Sequence, residues 1–111
     1  EKLCIERKRT VSEIAINITE DRFKRELERM RVFSHSFLIC EFDIDDILQY
    51  PVGSTIPKAR WSSLRVKGPF IMHQLSFIMV EYGISVLLCG NRDNAKYMAT
   101  NVMKQIYDRY K

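Results

Sequence analysis

No apolar run in this 111-residue chain approaches the roughly 20 residues needed to cross a membrane. No signal-peptide pattern opens it. Cysteine is scarce: Cys4, Cys40 and Cys89 are an odd set with no Cys-x-x-Cys spacing. Each lies in an apolar, strand-like run, so all three are expected to be reduced, buried thiols of an intracellular protein (cytoplasmic if bacterial or phage), not a disulfide frame or a zinc site. Histidine is scarcer still. His35, in an expected turn, and His73, one turn into an expected helix, are not clustered as metal ligands. Neither has a Ser or Cys nearby in a triad-like pattern, so both are expected to be structural. There is no internal repeat and no low-complexity tract. What remains is one ordinary globular domain over residues 1–111, 46% hydrophobic and 29% charged, long enough to bury one core.

The net charge of +4 is mild, and its distribution says more than its total. Basic residues gather at Arg7-Lys8-Arg9, between residues 22 and 31, and at Lys58, Arg60, Arg65 and Lys67. Acids dilute the middle group. There, Lys24 with Glu28 and Arg22 with Glu26 stand four apart and are expected to pair across one helical turn. The last group has no acid anywhere in residues 56–67, so it is the better phosphate-contacting candidate. Trp61 lies inside it and is expected to pack, with stacking on an unpaired base as the other reading.

Residues 2–8 read as a strand and 11–16 as a short helix capped by Thr10. A second helix starts at a Thr19 or Asp21 cap and runs to about Arg31, burying Phe23, Leu27 and Met30. Residues 36–42 are too short an apolar run for a core helix and read as a buried strand. A short helix capped by Asp43 follows over 43–48. Residues 50–68 show no clean period, which in a compact domain signals a functional loop or a hidden short element. Gly68-Pro69 starts a helix that buries Ile71, Leu75, Ile78 and Tyr82 and ends at Gly83. A third strand, 84–89, reads as apolar on both faces. The final helix, 92–110, carries Ala95, Ala99, Val102, Met103, Ile106 and Tyr110. Met30, Met72, Met79, Met98 and Met103 are expected as core filler. Strands alternating with helices predict an α/β fold with a mainly parallel central sheet flanked by helices.

Glu6-Arg7-Lys8 closes the apolar run Leu3-Cys4-Ile5. On a strand, Glu6 and Lys8 share one face and Arg7 takes the other. Metal-dependent nucleases use such an acid-x-Lys pair. The carboxylate holds a divalent ion beside the scissile phosphate, and the lysine neutralises charge on the attacking water or the phosphate. Arg7, facing away, is expected to pair with an acid. Glu41, at the end of the second strand, is expected to be a satisfied rim charge. Glu13 reads either as a supporting acid of the site or as a helix N-terminal acid favoured by the dipole.

Ile5-Glu6-Arg7-Lys8-Arg9-Thr10-Val11-Ser12-Glu13-Ile14 resembles the E-R-K motif of XPF-type nuclease domains. Ile18-Thr19-Glu20-Asp21-Arg22-Phe23-Lys24-Arg25-Glu26-Leu27-Glu28-Arg29 resembles a helix of their bacterial and phage members. Phe37-Leu38-Ile39-Cys40-Glu41 is similar to the buried strand that follows, and Glu81-Tyr82-Gly83-Ile84-Ser85-Val86-Leu87-Leu88-Cys89-Gly90-Asn91-Arg92 to their R-Y-G-V-P-(apolar)-G-N-R segment. The resemblance runs from residue 3 to about residue 109. It implies a restriction-endonuclease-like, PD-(D/E)xK fold and a metal-dependent DNA endonuclease, structure-specific in many relatives and used in DNA repair. Glu6 and Lys8 would be catalytic. Mg²⁺ or Mn²⁺ would be held by Glu6 and the Arg7 carbonyl, and DNA by Arg9, Lys58, Arg60, Arg65, Lys67 and Arg92. DNA is the implied partner, alongside a second copy or a partner nuclease subunit.

Two positions depart from the family pattern. Its Gly-Asp element belongs upstream of Glu6, where only five residues stand and none is Asp. Its Asp four places after the Lys is Ser12 here, with Glu13 one step later. These departures imply either a fragment trimmed at the N-terminus or a pseudo-nuclease that serves as a DNA-binding or dimerisation module.

Overall fold

The computed structural model describes residues 2–111. Three parallel strands, β1 Leu3–Lys8, β2 His35–Cys40 and β3 Ser85–Leu88, form one sheet in the order β1-β2-β3. Helices α1 Val11–Asn17 and α2 Asp21–Arg31 cross from β1 to β2. Helices α3 Ile44–Gln49 and α4 Gly68–Tyr82 cross from β2 to β3, and α5 Arg92–Tyr110 follows. Parallel strands need crossovers of this length, so each hydrophobic strand is separated from the next by helices. The expected α/β fold with a parallel, helix-flanked sheet is the observed one, and it has the architecture of the restriction-endonuclease-like class.

Side-chain alternation in β2 divides the core. Leu38 and Cys40 face a layer made by Ile14 of α1, Leu27 and Met30 of α2, Ile47 of α3 and Ile71, Leu75 and Ile78 of α4. Ile39 points to the opposite face, where α5 lies across β1 and β2 and buries Ala95. The element ends follow local chemistry. Thr10 caps α1 through its side chain, which accepts from the Glu13 N–H at 3.1 Å. Asp43 and Asp46 form a reciprocal capping box on α3. Gly83 ends α4 in the left-handed conformation, φ +66°, which a side chain disfavours.

Several sequence expectations need correction. Helix α2 is preceded by Glu20, which makes no side-chain cap, in place of Thr19 or Asp21; the Thr19 hydroxyl donates instead to the Ile16 carbonyl at 2.8 Å. Neither Lys24–Glu28 nor Arg22–Glu26 forms. Arg22 lies 3.8 Å from Glu20, with Glu26 lining a cleft described below, and Arg31 lies 3.0 Å from Glu28. His35 is not in a turn but opens β2, its Nε2 2.8 Å from the Tyr110 hydroxyl. The loop after α3 does contain a short element, a 3₁₀ turn at Lys58–Ser63. Trp61 is half-buried there and donates from Nε1 to the Ile56 carbonyl, so it packs within its own loop. β3 is half-buried rather than enclosed, since it is an edge strand with only β2 beside it. Of the five methionines only Met30 is fully buried; Met79, Met98 and Met103 are exposed. Cys40 is buried and Cys4 and Cys89 half-buried, all as free thiols. Burial pushes the Cys40 thiol up to about 12, which makes it inert at neutral pH. No helix among the described residues is long and apolar enough to cross a membrane.

Candidate active site

β1 delivers Glu6 and Lys8 to one side of the sheet, and α1 and α2 fold over that side. Together they enclose a cleft of about 240 Å³ lined by Glu6, Lys8, Glu13, Asn17 and Glu26 over the ring of Phe23, with Glu20 and Arg22 at its rim. Arg7, between them on the strand, takes the other face and pairs with Glu41 at 3.1 Å. Its side chain is therefore committed elsewhere, and only its backbone is on offer to the cleft.

Lys8 is the anomaly of the fold. It is only 5% exposed, yet it forms no ion pair among the described residues. Its ammonium sits 5.1 Å from the centre of the Phe23 ring. A buried lysine is almost always paired with an acid. Here the ring face supplies part of the compensation, and the side chain lines the cleft.

Glu6 is held in a complementary state of tension. Burial pushes its carboxyl above the usual carboxylate range, the carboxylate of Glu26 pushes it further, and Lys8 and Arg29 pull it back. Two carboxylates sharing one partly desolvated space favour a proton or a cation between them. Glu13 reaches the same cleft from the first turn of α1. Its Oε1 accepts from the Arg9 N–H at 2.8 Å, which fixes the side chain. Ser12 instead lines a separate hollow with Arg9, Asp46 and Tyr50. The shift by one residue is thus built into the turn: Glu13, not Ser12, is the acid that α1 presents to the cleft.

The donor set fits a hard divalent cation in kind. All the candidate ligands are oxygens, and the Asn17 Oδ1 is buried with no hydrogen-bond partner, an orphan that a cation or its water would satisfy. The set is not a closed cage, since among the described residues no three His, Cys, Asp or Glu side chains converge as one.

The expected DNA-contacting residues stand apart from this cleft. Lys58, Arg60, Arg65 and Lys67 are exposed on the loop around the 3₁₀ turn, and none is in an ion pair among the described residues. Arg9 is exposed beside the separate hollow. Arg92 is exposed at the first position of α5, whose cap is Asn91, its side chain accepting from the Asn94 N–H at 2.8 Å. Asn17, Glu20 and Glu26 are cleft residues that sequence reasoning missed. Glu26 had a signal: it stands three after Phe23 on α2, hence on the same side of the helix as a buried residue.

A family model described as "ERCC4 domain" matches residues 1–101. No curated protein and no solved structure matches the chain.

Proposed function

We propose, from the premise that this chain belongs to the ERCC4 domain family of XPF-type nucleases, that it is the catalytic domain of a divalent-metal-dependent DNA endonuclease whose site is the cleft under α1 and α2. The family carries a structure-specific nuclease-type function. The observation that bears most on catalysis by this chain is the buried Lys8, without an ion pair among the described residues, sharing a cleft with Glu6. Charge buried without a partner costs stability, and such a cost is typical of sites built for a ligand.

In this reading Glu6 and Glu13 would hold Mg²⁺ or Mn²⁺ with the Arg7 carbonyl, all of them oxygen ligands of the kind a hard cation takes. The ion, when bound, supplies charge neutralisation at the scissile phosphate. Lys8 donates hydrogen bonds to the phosphate or the attacking water, from a position that Phe23 and the strand already fix. Glu13 is oriented by Arg9. The acids of the cleft repel free phosphate and admit it only with a cation, so cleavage depends on metal. Chelation is expected to abolish it, and Mn²⁺ to restore it.

The test is Mn²⁺-dependent cleavage of labelled single-stranded, duplex and forked DNA by this chain and by a form extended through its natural upstream sequence. Cleavage by the extended form alone assigns the missing ligand to that sequence. DNA binding without cleavage by either form turns the reading to a pseudo-nuclease. If there is neither binding nor cleavage, the DNA reading falls.

The acid-free loop is assigned to the DNA backbone. Replacing Lys58, Arg60, Arg65 and Lys67 together by alanine is expected to reduce the slope of log affinity against log salt by about 3 on duplex DNA, weakening all sequences alike. An unchanged slope, measured by fluorescence anisotropy across a salt series, removes the loop from the interface.

A further inference from the structure

A second concavity lies beside the catalytic cleft and shares a wall with it. It holds about 200 Å³ between the start of α1 and the loop that follows α3. The buried aromatics Phe42 and Tyr50 line it with Val52, and Arg9, Ser12 and Asp46 add polar groups. The two spaces meet at the first turn of α1: Ser12 lines the hollow, and Glu13, the next residue, lines the cleft. Arg9 follows β1 and Phe42 follows β2. Both spaces therefore open at the carboxyl ends of parallel strands, where the ligands of such sheets gather. The hydrolytic step proposed above uses none of the hollow.

Its chemistry is mixed in a way that narrows the occupant. The aromatic side chains favour the flat face of a ring. The Asp46 carboxylate accepts the Asp43 N–H at 3.0 Å through one oxygen and keeps lone pairs free on both; it would repel a bare phosphate. Arg9 is exposed and in no ion pair among the described residues. A planar ligand with donors for the carboxylate and acceptors for the guanidinium fits this set. Among the DNA bases, guanine alone carries adjacent N–H donors on its Watson–Crick edge, beside the O6 and N7 acceptors that arginine reads. Size agrees, since a cavity of ~150 Å³ already takes a benzene ring, while a base pair is too large. The Watson–Crick edge is free for such contacts only on an unpaired base.

We propose that the hollow is a base subsite that takes an unpaired guanine from a nucleotide next to the scissile phosphate. Asp46 accepts from its N1–H and N2–H, Arg9 donates to O6 or N7, and the ring lies against Phe42 and Tyr50. The inference rests on the nuclease reading of the cleft and names what its substrate carries beside the cut. The loop of residues 50–67 serves both parts: its cations hold the backbone, and Val52 lines the hollow.

The hollow needs no metal ion, so fluorescence anisotropy in EDTA, where no cleavage intervenes, tests it. The probes are oligothymidine strands with a single central guanine, adenine or hypoxanthine, the last lacking the N2 amine. The native chain is expected to bind the guanine strand about tenfold tighter than the adenine strand, with hypoxanthine between them. Pairing the same guanine with cytosine in a duplex is expected to remove its advantage. Asp46→Asn keeps an acceptor for the Asp43 N–H but turns one oxygen into a donor, and is expected to bring the guanine-to-adenine ratio to about one. Ser12→Leu fills the hollow from the α1 side, leaves the α3 capping box intact, and is expected to do the same. A weakened cap alone lowers the melting temperature and leaves the ratio where it was. Binding without base preference, or a preference that survives both variants or persists for paired guanine, overturns the inference and leaves the nuclease reading standing. No binding of any strand, in EDTA or in Mn²⁺, overturns it together with the DNA reading itself.

Discussion

Glu6→Gln is expected to lose DNA cleavage by about 10³-fold and, in the same preparation, to unfold at a higher temperature than the native chain. The two effects have one cause. Burial and the facing Glu26 carboxylate raise the Glu6 pKa above its ordinary value, against the pull of Lys8 and Arg29. A group with a raised folded-state pKa binds its proton more tightly folded than unfolded. Its contribution to stability is complete below the unfolded pKa and is lost as pH rises through the folded one. At neutral pH the ionised Glu6 is therefore a net cost, one that glutamine, isosteric and uncharged, does not carry. The gain stays below about 1 kcal/mol because the group is half-exposed and screened. It should be greatest at neutral pH and fade below the usual carboxylate range, where Glu6 is protonated in both states. Added Mn²⁺ should raise the melting temperature of the native chain and leave that of Glu6→Gln unmoved, a readout that does not need turnover. An ordinary structural carboxylate predicts the reverse: a lower melting temperature and unchanged cleavage.

The Glu6-Lys8 pair was legible because its spacing is local. Strand alternation alone puts Glu6 and Lys8 on one face and sends Arg7 to the other, and the Arg7–Glu41 pair is what that alternation leaves it to do. The rest of the cleft was not legible, because it depends on how α2 is rotated against β1. Read along the helix, Glu26 belongs with Arg22 as a surface ion pair. Read in the fold, it shares a cleft with Glu6 and leaves Arg22 to Glu20. Asn17 at the end of α1 carries no sequence sign that its amide oxygen is buried without a partner; only the convergence of two helices makes it so.

The strands and helices themselves followed from apolar period and end signals, most directly at Thr10, Asp43 and Gly83, where one side chain or its absence decides the boundary. The misreadings have a common origin. Methionines at helical spacing were assigned to the core, yet Met79, Met98 and Met103 face outward, since helical spacing says that residues share a face and not which face is covered. α5 carries apolar residues on more than one side, and a sheet with only one helix over that face cannot bury them all.

Gly68→Ala is expected to destabilise the chain by about 3 kcal/mol, although intrinsic preference points the other way. Alanine in a helix is favoured over glycine by up to about 1 kcal/mol, and Gly68 does not occupy a left-handed conformation. The obstacle is contact. A Cβ built on Gly68 would meet the Ile47 carbonyl oxygen at 2.4 Å, the Leu48 Cα at 2.9 Å and the Leu48 carbonyl oxygen at 3.0 Å. All three are backbone atoms of α3, and α3 is pinned by its capping box at one end and by fully buried Ile47. Nothing there can rotate away as a flexible side chain would, so α4 must lift off α3 or α3 must shift in the core. Thermal unfolding should show a drop of roughly 10 °C or more for a domain of this size. A rise would mean that preference outweighs contact and that α3 and α4 do not approach so closely. The same substitution reaches function through the loop. Gly68 is where residues 50–67 re-enter the fold, so displacing α4 from α3 also displaces Arg65 and Lys67. DNA affinity is then expected to fall even below the unfolding transition, while Mn²⁺ binding at the cleft, built from β1, α1 and α2, is retained.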